Sequence, residues 1–227
     1  MIKAVIFDMD GVLIDSEPLH FEVDEMVLKH LQIPEGKHYL ERFVGYTNPA
    51  MWKIIKEEFN IEQTIEDLIE LQMRIKLDYL NKSEYAAIHG VLELLDVIQA
   101  KKIPIAIASS SPRVFIEAVV KKIKIETFFQ TCVSGEEVPQ SKPAPDVFLK
   151  TAAILNVKPE NCLVIEDSKS GTIAAKSAGM KCIGFRNPNS GNQDLSAADL
   201  IVNDINEISS LLNEDHVFLL NLFHPTP

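Results

Sequence analysis

A chain of 227 residues with 46% hydrophobic and 24% charged side chains has the balance of an ordinary globular protein, with room for one large domain or a domain carrying an insertion. Its 33 acidic against 22 basic residues give a formal net charge of -11, which repels nucleic acid and anionic membrane surfaces and argues against both as partners. The same field repels anionic substrates at long range, so a phosphate-bearing substrate needs a metal and local cations to reverse the sign at its site.

From Lys3 to Phe7 the chain is a short apolar run that ends abruptly in Asp8 and then Gly11. Similar runs follow at 103–108, 132–134, 162–165, 181–185 and 200–202, each rich in β-branched residues and bounded by Gly, Pro, Ser or Asp. Strands of a parallel sheet, apolar on both faces, have this form. Between them lie stretches of helical period: Val91, Leu94, Leu95 and Ile98; Phe115, Ile116, Val119 and Val120; Val147, Phe148 and Ala152; Ile173, Ala174 and Ala178. This alternation predicts an α/β fold around an open parallel sheet.

One region breaks the rhythm. From about 17 to 80 no strand pattern appears, and three amphipathic helices are marked by Phe21, Met26, Val27 and Leu31, by Met51, Ile54, Ile55 and Phe59, and by Ile65, Leu68, Ile69, Gln72 and Leu80. Some 60 helical residues are too long for a crossover, so they read as an inserted helical subdomain with linkers near 14–17 and 81–86. The predicted division is therefore 1–16 with 81–227 as the α/β core, and 17–80 as the insertion. After a helix near 204–212 comes an apolar segment at 217–223, whose packing partner the sequence does not specify. A first strand starting at residue 3 leaves no room for a signal peptide, and no apolar run approaches the roughly 20 residues that cross a bilayer. Cys132, Cys162 and Cys182 are odd in number and form no C-x-x-C pair, as expected of small buried side chains in a reducing compartment. A cytoplasmic protein is expected.

Four clusters carry candidate chemistry. Asp8 and Asp10 follow the first strand, and residues two apart on an extended chain face the same way, so both carboxyls can address one pocket beyond the sheet edge. Asp and Gly after a strand also suit a plain turn. Ser109-Ser110-Ser111-Pro112 follows the second strand; Pro112 suits a first helical position and a preceding Ser an N-cap, and free N–H groups there make an anion site. Simple capping is the alternative. Lys142-Pro143-Ala144-Pro145-Asp146 is a rigid turn holding one cation ahead of a helix. Glu166-Asp167-Ser168 ends the fourth strand, where two acids can share a divalent cation with Asp8; N-capping by Asp167 competes with that role. All four fall where an α/β sheet places its site, and together they outweigh the local alternatives.

Asp8-x-Asp10-Gly11-Val12, Ser109, Lys142-Pro143 and Glu166-Asp167-Ser168, in this order, resemble the four motifs of the haloacid dehalogenase-like superfamily. The helical insertion looks like that superfamily's cap on a Rossmann-like core. The resemblance runs from residue 1 to about 212. It is closest to the β-phosphoglucomutase-like branch, to which Asp15-Ser16-Glu17 with His20 and Ser141 to Asp146 add. The resemblance implies that Asp8 is a nucleophile forming an aspartyl-phosphate, and that Asp10 protonates the leaving oxygen and then activates the next nucleophile. For this Asp10 is protonated when substrate binds, which neighbouring negative charge favours. It implies Mg²⁺ as cofactor, held by Asp8, the Asp10 backbone carbonyl and Asp167, with Glu166 a further ligand or a support. Ser109, Ser110 and Lys142 would hold the phosphoryl group.

The cap decides between water and a sugar hydroxyl as acceptor. Mutases of this branch carry an Arg shortly after a Gly, where Gly45-Tyr46-Thr47-Asn48 here has Asn48; a neutral amide does not replace a charged fork. Arg42, Lys53 and Arg74 are candidates to compensate, and His20 and Asn48 are candidate substrate contacts in the cap. The expectation is a Mg²⁺-dependent phosphatase acting as a monomer on small phosphomonoesters, sugar phosphates first among them, with a β-phosphoglucomutase or related sugar-phosphate mutase as the alternative. Dehalogenase chemistry is disfavoured, because Asp10, Lys142 and the acidic pair suit metal-assisted phosphoryl transfer.

Overall fold

The computed structural model describes residues 2–43 and 46–213. Strand β1 (Ala4–Phe7) is followed by four helices, α1 (Glu17–His30), α2 (Lys37–Leu40), α3 (Asn48–Phe59) and α4 (Ile65–Lys82). Then come α5 (Val91–Ala100), β2 (Ile105–Ser109), α6 (Arg113–Lys122), β3 (Thr131–Ser134), α7 (Asp146–Ile154), β4 (Cys162–Glu166), α8 (Lys169–Ser177), β5 (Lys181–Phe185), β6 (Leu200–Val202) and α9 (Ile205–Asn213). The chain divides into two compact units, one formed by the described residues through Asp15 and from Tyr85 onward, the other by Ser16–Glu84.

In the first unit all six strands run parallel in the order β3-β2-β1-β4-β5-β6. Each expected strand is present within about two residues of its predicted limits; β1, β2 and β4 are buried throughout, whereas β3 and β6 at the sheet edges are partly exposed. β1 is central and wholly buried, and its register sets Phe7 beside Ile107 of β2 and Ile165 of β4. The residues that follow each strand therefore emerge at one edge of the sheet. The connections reverse direction between β1 and β4, and a crevice for ligand opens at such a point. On one face Ile6, Val133, Val147, Phe148 and Val164 form a core into which Ala108, Ala152, Ala174 and Ala175 let the helices approach closely.

Within the second unit α4 packs on α1 and α3. Thr64 and Asp67 form a capping box that starts α4: Asp67 N–H donates to Thr64 Oγ1 at 3.1 Å and Thr64 N–H to Asp67 Oδ2 at 3.0 Å. The inward stripe of α4 is Leu68, Gln72, Lys76 and Leu80, so two of four buried positions are polar. α4 continues to Lys82, past the predicted linker start at 81, because its helical period does not break until Ser83 leaves the helical region. The short helix α2 lies in a stretch with too few apolar residues to show a period. Cys162 and Cys182 are buried and Cys132 half-buried, all three as free thiols. Among the described residues no helix is long and apolar enough to cross a membrane. Gly45 and the segment 217–223 lie outside the described residues.

Candidate active site

The loop after β1 turns within a few residues: Leu13 N–H donates to Met9 O at 2.9 Å and Gly11 N–H to Ile14 O at 2.8 Å. Gly11 has φ +76, and a Cβ there would lie 2.0 Å from Asp167 Oδ2, so only glycine lets the loop approach this acid. Asp8, Glu166 and Asp167 are 6%, 1% and 5% exposed, and each offers a carboxylate oxygen within 4.8 Å of the others. Lys142 reaches into this group with a side chain only 3% exposed. Its Nζ donates to Asp8 Oδ1 at 2.5 Å, Glu166 Oε1 at 2.8 Å and Ala108 O at 3.0 Å, and lies 4.9 Å from the Phe148 ring centre.

Glu166 is locked on both oxygens, because Oε2 also accepts from Ser168 N–H at 2.7 Å and Ser168 Oγ at 2.9 Å. It lies so close to the first turn of α8 that a Cβ on Gly171 would meet Oε1 at 1.6 Å. The N-cap of α8 is Ser168, whose Oγ accepts from Gly171 N–H at 3.0 Å. Capping by Asp167, the structural alternative read from the sequence, is thereby overturned: the residue one place later does that work, and the Asp167 carboxylate faces Gly11 and Ser190 instead.

The serine run behaves differently from expectation. Pro112 occupies the N-cap of α6 with ψ 142, accepting from Ile116 N–H at 3.1 Å, so Pro112 is not the first helical residue and no Ser caps the helix. Freed from capping, Ser111 Oγ donates to Asp10 Oδ2 at 2.7 Å, with Ser109 Oγ more distant at 3.4 Å. Ser109 is buried and its hydroxyl accepts from Ser111 N–H at 3.0 Å. Ser110 is exposed, and its hydroxyl accepts from Ser141 Oγ at 3.2 Å.

Electrostatically the cluster holds three carboxyls against one ammonium. Burial raises the Asp8 carboxyl well above the usual carboxylate range; Lys142 opposes this, while Glu166, Asp167 and Asp10 add to it. Burial and Glu166 push Asp167 up to about 7, against the Ser190 hydrogen bond and Lys142. Burial alone would lower the Lys142 pKa, but Asp8 and Glu166 override it and hold the ammonium above the ordinary lysine value. Among the described residues three carboxyls thus face one ammonium, and the burial and mutual repulsion that raise Asp8 and Asp167 are what a bound cation would relieve. Oxygen donors of this kind suit a small hard divalent ion, so the residues present fit Mg²⁺.

In the helical unit, Asn48 begins α3 and donates through Nδ2 to Gln72 Oε1 at 2.9 Å, which also accepts from Trp52 Nε1 at 3.2 Å. Gln72 Nε2 donates to Asp24, whose carboxyl is raised by burial and lowered by Gln72, His20 and Lys76. His20 is half-buried on α1, one turn before Asp24. Arg42 is committed to Glu58 and stacks over Tyr39 and Phe43, while Lys53 and Arg74 are exposed.

Three site contacts escaped the sequence: Ser111 on Asp10, and Ser190 and Asn187 on Asp167 and the Gly11 loop. Turn-forming residues at 187–191 signal a loop there, but nothing in their spacing names its partners.

A family model described as haloacid dehalogenase-like hydrolase matches residues 5–185. The phosphorylated carbohydrates phosphatase of Thermotoga maritima is 33% identical over 219 residues, 94% of this chain and 99% of that one. The β-phosphoglucomutase of Bacillus subtilis is 31% identical over 221 residues, 94% and 95% of the two chains. CbbY from Rhodobacter sphaeroides in complex with phosphate superposes with a TM-score of 0.81 over 92% of this chain and 96% of its own; at 23% identity this likeness speaks for the fold.

Proposed function

The chain belongs to the haloacid dehalogenase-like hydrolase family, and from that premise we propose that it is a Mg²⁺-dependent phosphatase of small phosphomonoesters, sugar phosphates first among them, working through an aspartyl-phosphate on Asp8. The observation that carries this reading is the buried set of Asp8, Glu166 and Asp167 around Lys142, with Asp10 held by a serine hydroxyl next to it. Phosphoryl transfer needs little else than positioning and stabilisation of charge.

In this reading the Asp8 carboxylate attacks phosphorus, and the bond from phosphorus to the ester oxygen breaks as Asp10 gives that oxygen its proton. Water then attacks the aspartyl-phosphate; Asp10 takes the proton, the Asp8–phosphorus bond breaks, and inorganic phosphate leaves. Ser111 keeps the Asp10 carboxyl aimed for both transfers. Ser109 and Lys142 bind phosphoryl oxygens, and Ser110 stands at the rim of the same loop. Glu166 anchors Lys142 by their 2.8 Å contact. The carboxylates of Asp8 and Asp167 and the backbone carbonyl of Asp10 would hold Mg²⁺, which when bound supplies positive charge to the phosphoryl oxygens.

The second reading is a sugar-phosphate mutase, favoured by the likeness to the Bacillus subtilis enzyme. Against it stands Asn48, a neutral side chain already bonded to Gln72 where a second phosphate would call for a cation. A panel of sugar phosphates and nucleotides with Mg²⁺, scored for phosphate release and product identity together, separates the two. The phosphatase reading expects phosphate release without isomerisation, abolished by EDTA and restored by Mg²⁺. Conversion of β-glucose 1-phosphate to glucose 6-phosphate, dependent on a bisphosphate primer, would establish the mutase instead.

A further inference from the structure

The loop that follows β5 reaches back across the sheet edge with three neutral polar side chains. Asn187, 5% exposed, donates through Nδ2 to Gly11 O at 3.0 Å, tying the loop to the turn after β1. Its Oδ1 accepts from Asn189 N–H at 2.8 Å, and Asn189 Nδ2 donates to Asp15 Oδ2. Ser190 Oγ donates to Asp167 Oδ2. A Cβ on Gly11 would stand 2.0 Å from Asp167 Oδ2 and 2.8 Å from Ser190 Oγ, so the β1 turn, the acid after β4 and this loop converge on a single point.

We propose that residues 187–190 form a positioning clamp in which Ser190 fixes the Asp167 carboxylate for binding the divalent cation while Asn187 fixes the Gly11 turn beside it. The inference rests on the phosphatase reading above. Ser190 and Asn187 are not acids or bases at ordinary pH and take no part in the proton transfers. Asp167 offers an oxygen within 4.8 Å of oxygens of Asp8 and Glu166, and repulsion between ionised carboxyls opposes holding all three at one point. The Ser190 hydroxyl holds Asp167 Oδ2 and so fixes the orientation in which the carboxylate would meet the cation. Donors to a ligand's second oxygen commonly set metal affinity in this way.

The test uses the full chain and Mn²⁺, a divalent ion that accepts the same oxygen donors, with free Mn²⁺ followed by electron paramagnetic resonance in the absence of substrate. Ser190→Ala is expected to weaken Mn²⁺ binding by about 10- to 100-fold. It should raise the Mg²⁺ concentration for half-maximal phosphate release by a similar factor, with most of kcat retained at saturating Mg²⁺. Ser190→Thr and Ser190→Val have nearly the same shape, yet only the first keeps a hydroxyl. The threonine variant should bind Mn²⁺ like wild type and the valine variant like Ser190→Ala, with equal melting temperatures without metal. Equal Mn²⁺ affinity for all three variants and wild type would overturn the clamp and leave the phosphatase reading standing. A wild-type chain that binds no Mn²⁺ would overturn both, whereas phosphate release surviving in Asp8→Asn, with the serine effects intact, would sink only the nucleophile.

Discussion

The two units bury polar groups in opposite ways. In the helical unit Gln72 sits in the apolar stripe of α4 and joins Asp24, Asn48 and Trp52, so that a neutral amide and basic neighbours partly offset the burial that raises the Asp24 carboxyl. In the α/β unit burial of Asp8 and Asp167 is reinforced by further carboxyls, and one ammonium does not balance them. A closed hydrogen-bond set of the first kind specifies a packing arrangement. A charge surplus held in place by covalent turns and close-packed glycines is costly to fold, and it persists where a ligand completes it.

Four changes would break or sharpen that contrast. Asp8→Asn keeps the shape of the side chain and removes the nucleophile; kcat for phosphate release should fall by on the order of 10⁴-fold or more, measured beside an unchanged circular dichroism spectrum. Lys142→Met leaves the three buried carboxyls without their ammonium. It should lower kcat by about 10²- to 10³-fold and destabilise the metal-free chain by about 3–5 kcal/mol in urea titrations, with Mg²⁺ recovering part of the stability. Gln72→Leu acts only on the helical unit's network, leaving the Asn48 and Trp52 donors unpartnered. A loss of about 1–3 kcal/mol is expected in the same titration, with the Mg²⁺ half-saturation unmoved.

The smallest effect concerns a charge that is neither closed off nor in surplus. The Arg113 hydrogen bond holds the Glu137 carboxyl down to about 2 against its partial burial, with Lys150 assisting at 3.0 Å. Its folded value lies below that of the unfolded chain, about 4.3, so its stabilisation is complete above the unfolded value and fades as pH falls toward 2. Glu137→Gln should therefore flatten the fall in stability between about pH 5 and 2, by about 1 kcal/mol at this half-exposed position.

The sheet is legible in the sequence because its strands are short apolar β-branched runs, and in β1, β2 and β4 the residues that cut the run off, Asp8, Ser109 and Glu166, mark the site. The register then does the rest: Phe7, Ile107 and Ile165 lie side by side, so the acids and serines after them meet. Partner choice is another matter. Local capping rules place Ser111 or Asp167 at helix starts, but Pro112 and Ser168 hold those positions, and the freed side chains turn to groups distant in sequence. Ser190 is 23 residues from Asp167 and Asn187 is 176 from Gly11, separations that no local pattern encodes. In the helical unit, the stripe through Leu68, Gln72 and Leu80 predicts α4 and its inward face, but not that Lys76 is buried within it.

The most direct test of the central claim is chemical trapping of the intermediate. An acyl phosphate on Asp8 is reducible by borohydride, which converts the carboxyl to an alcohol detectable in the peptide mass. After rapid quenching with a turned-over sugar phosphate, the account predicts that reduction at residue 8 alone, dependent on Mg²⁺ and absent from Asp8→Asn. An unmodified Asp8 in a chain that releases phosphate at full rate would contradict it.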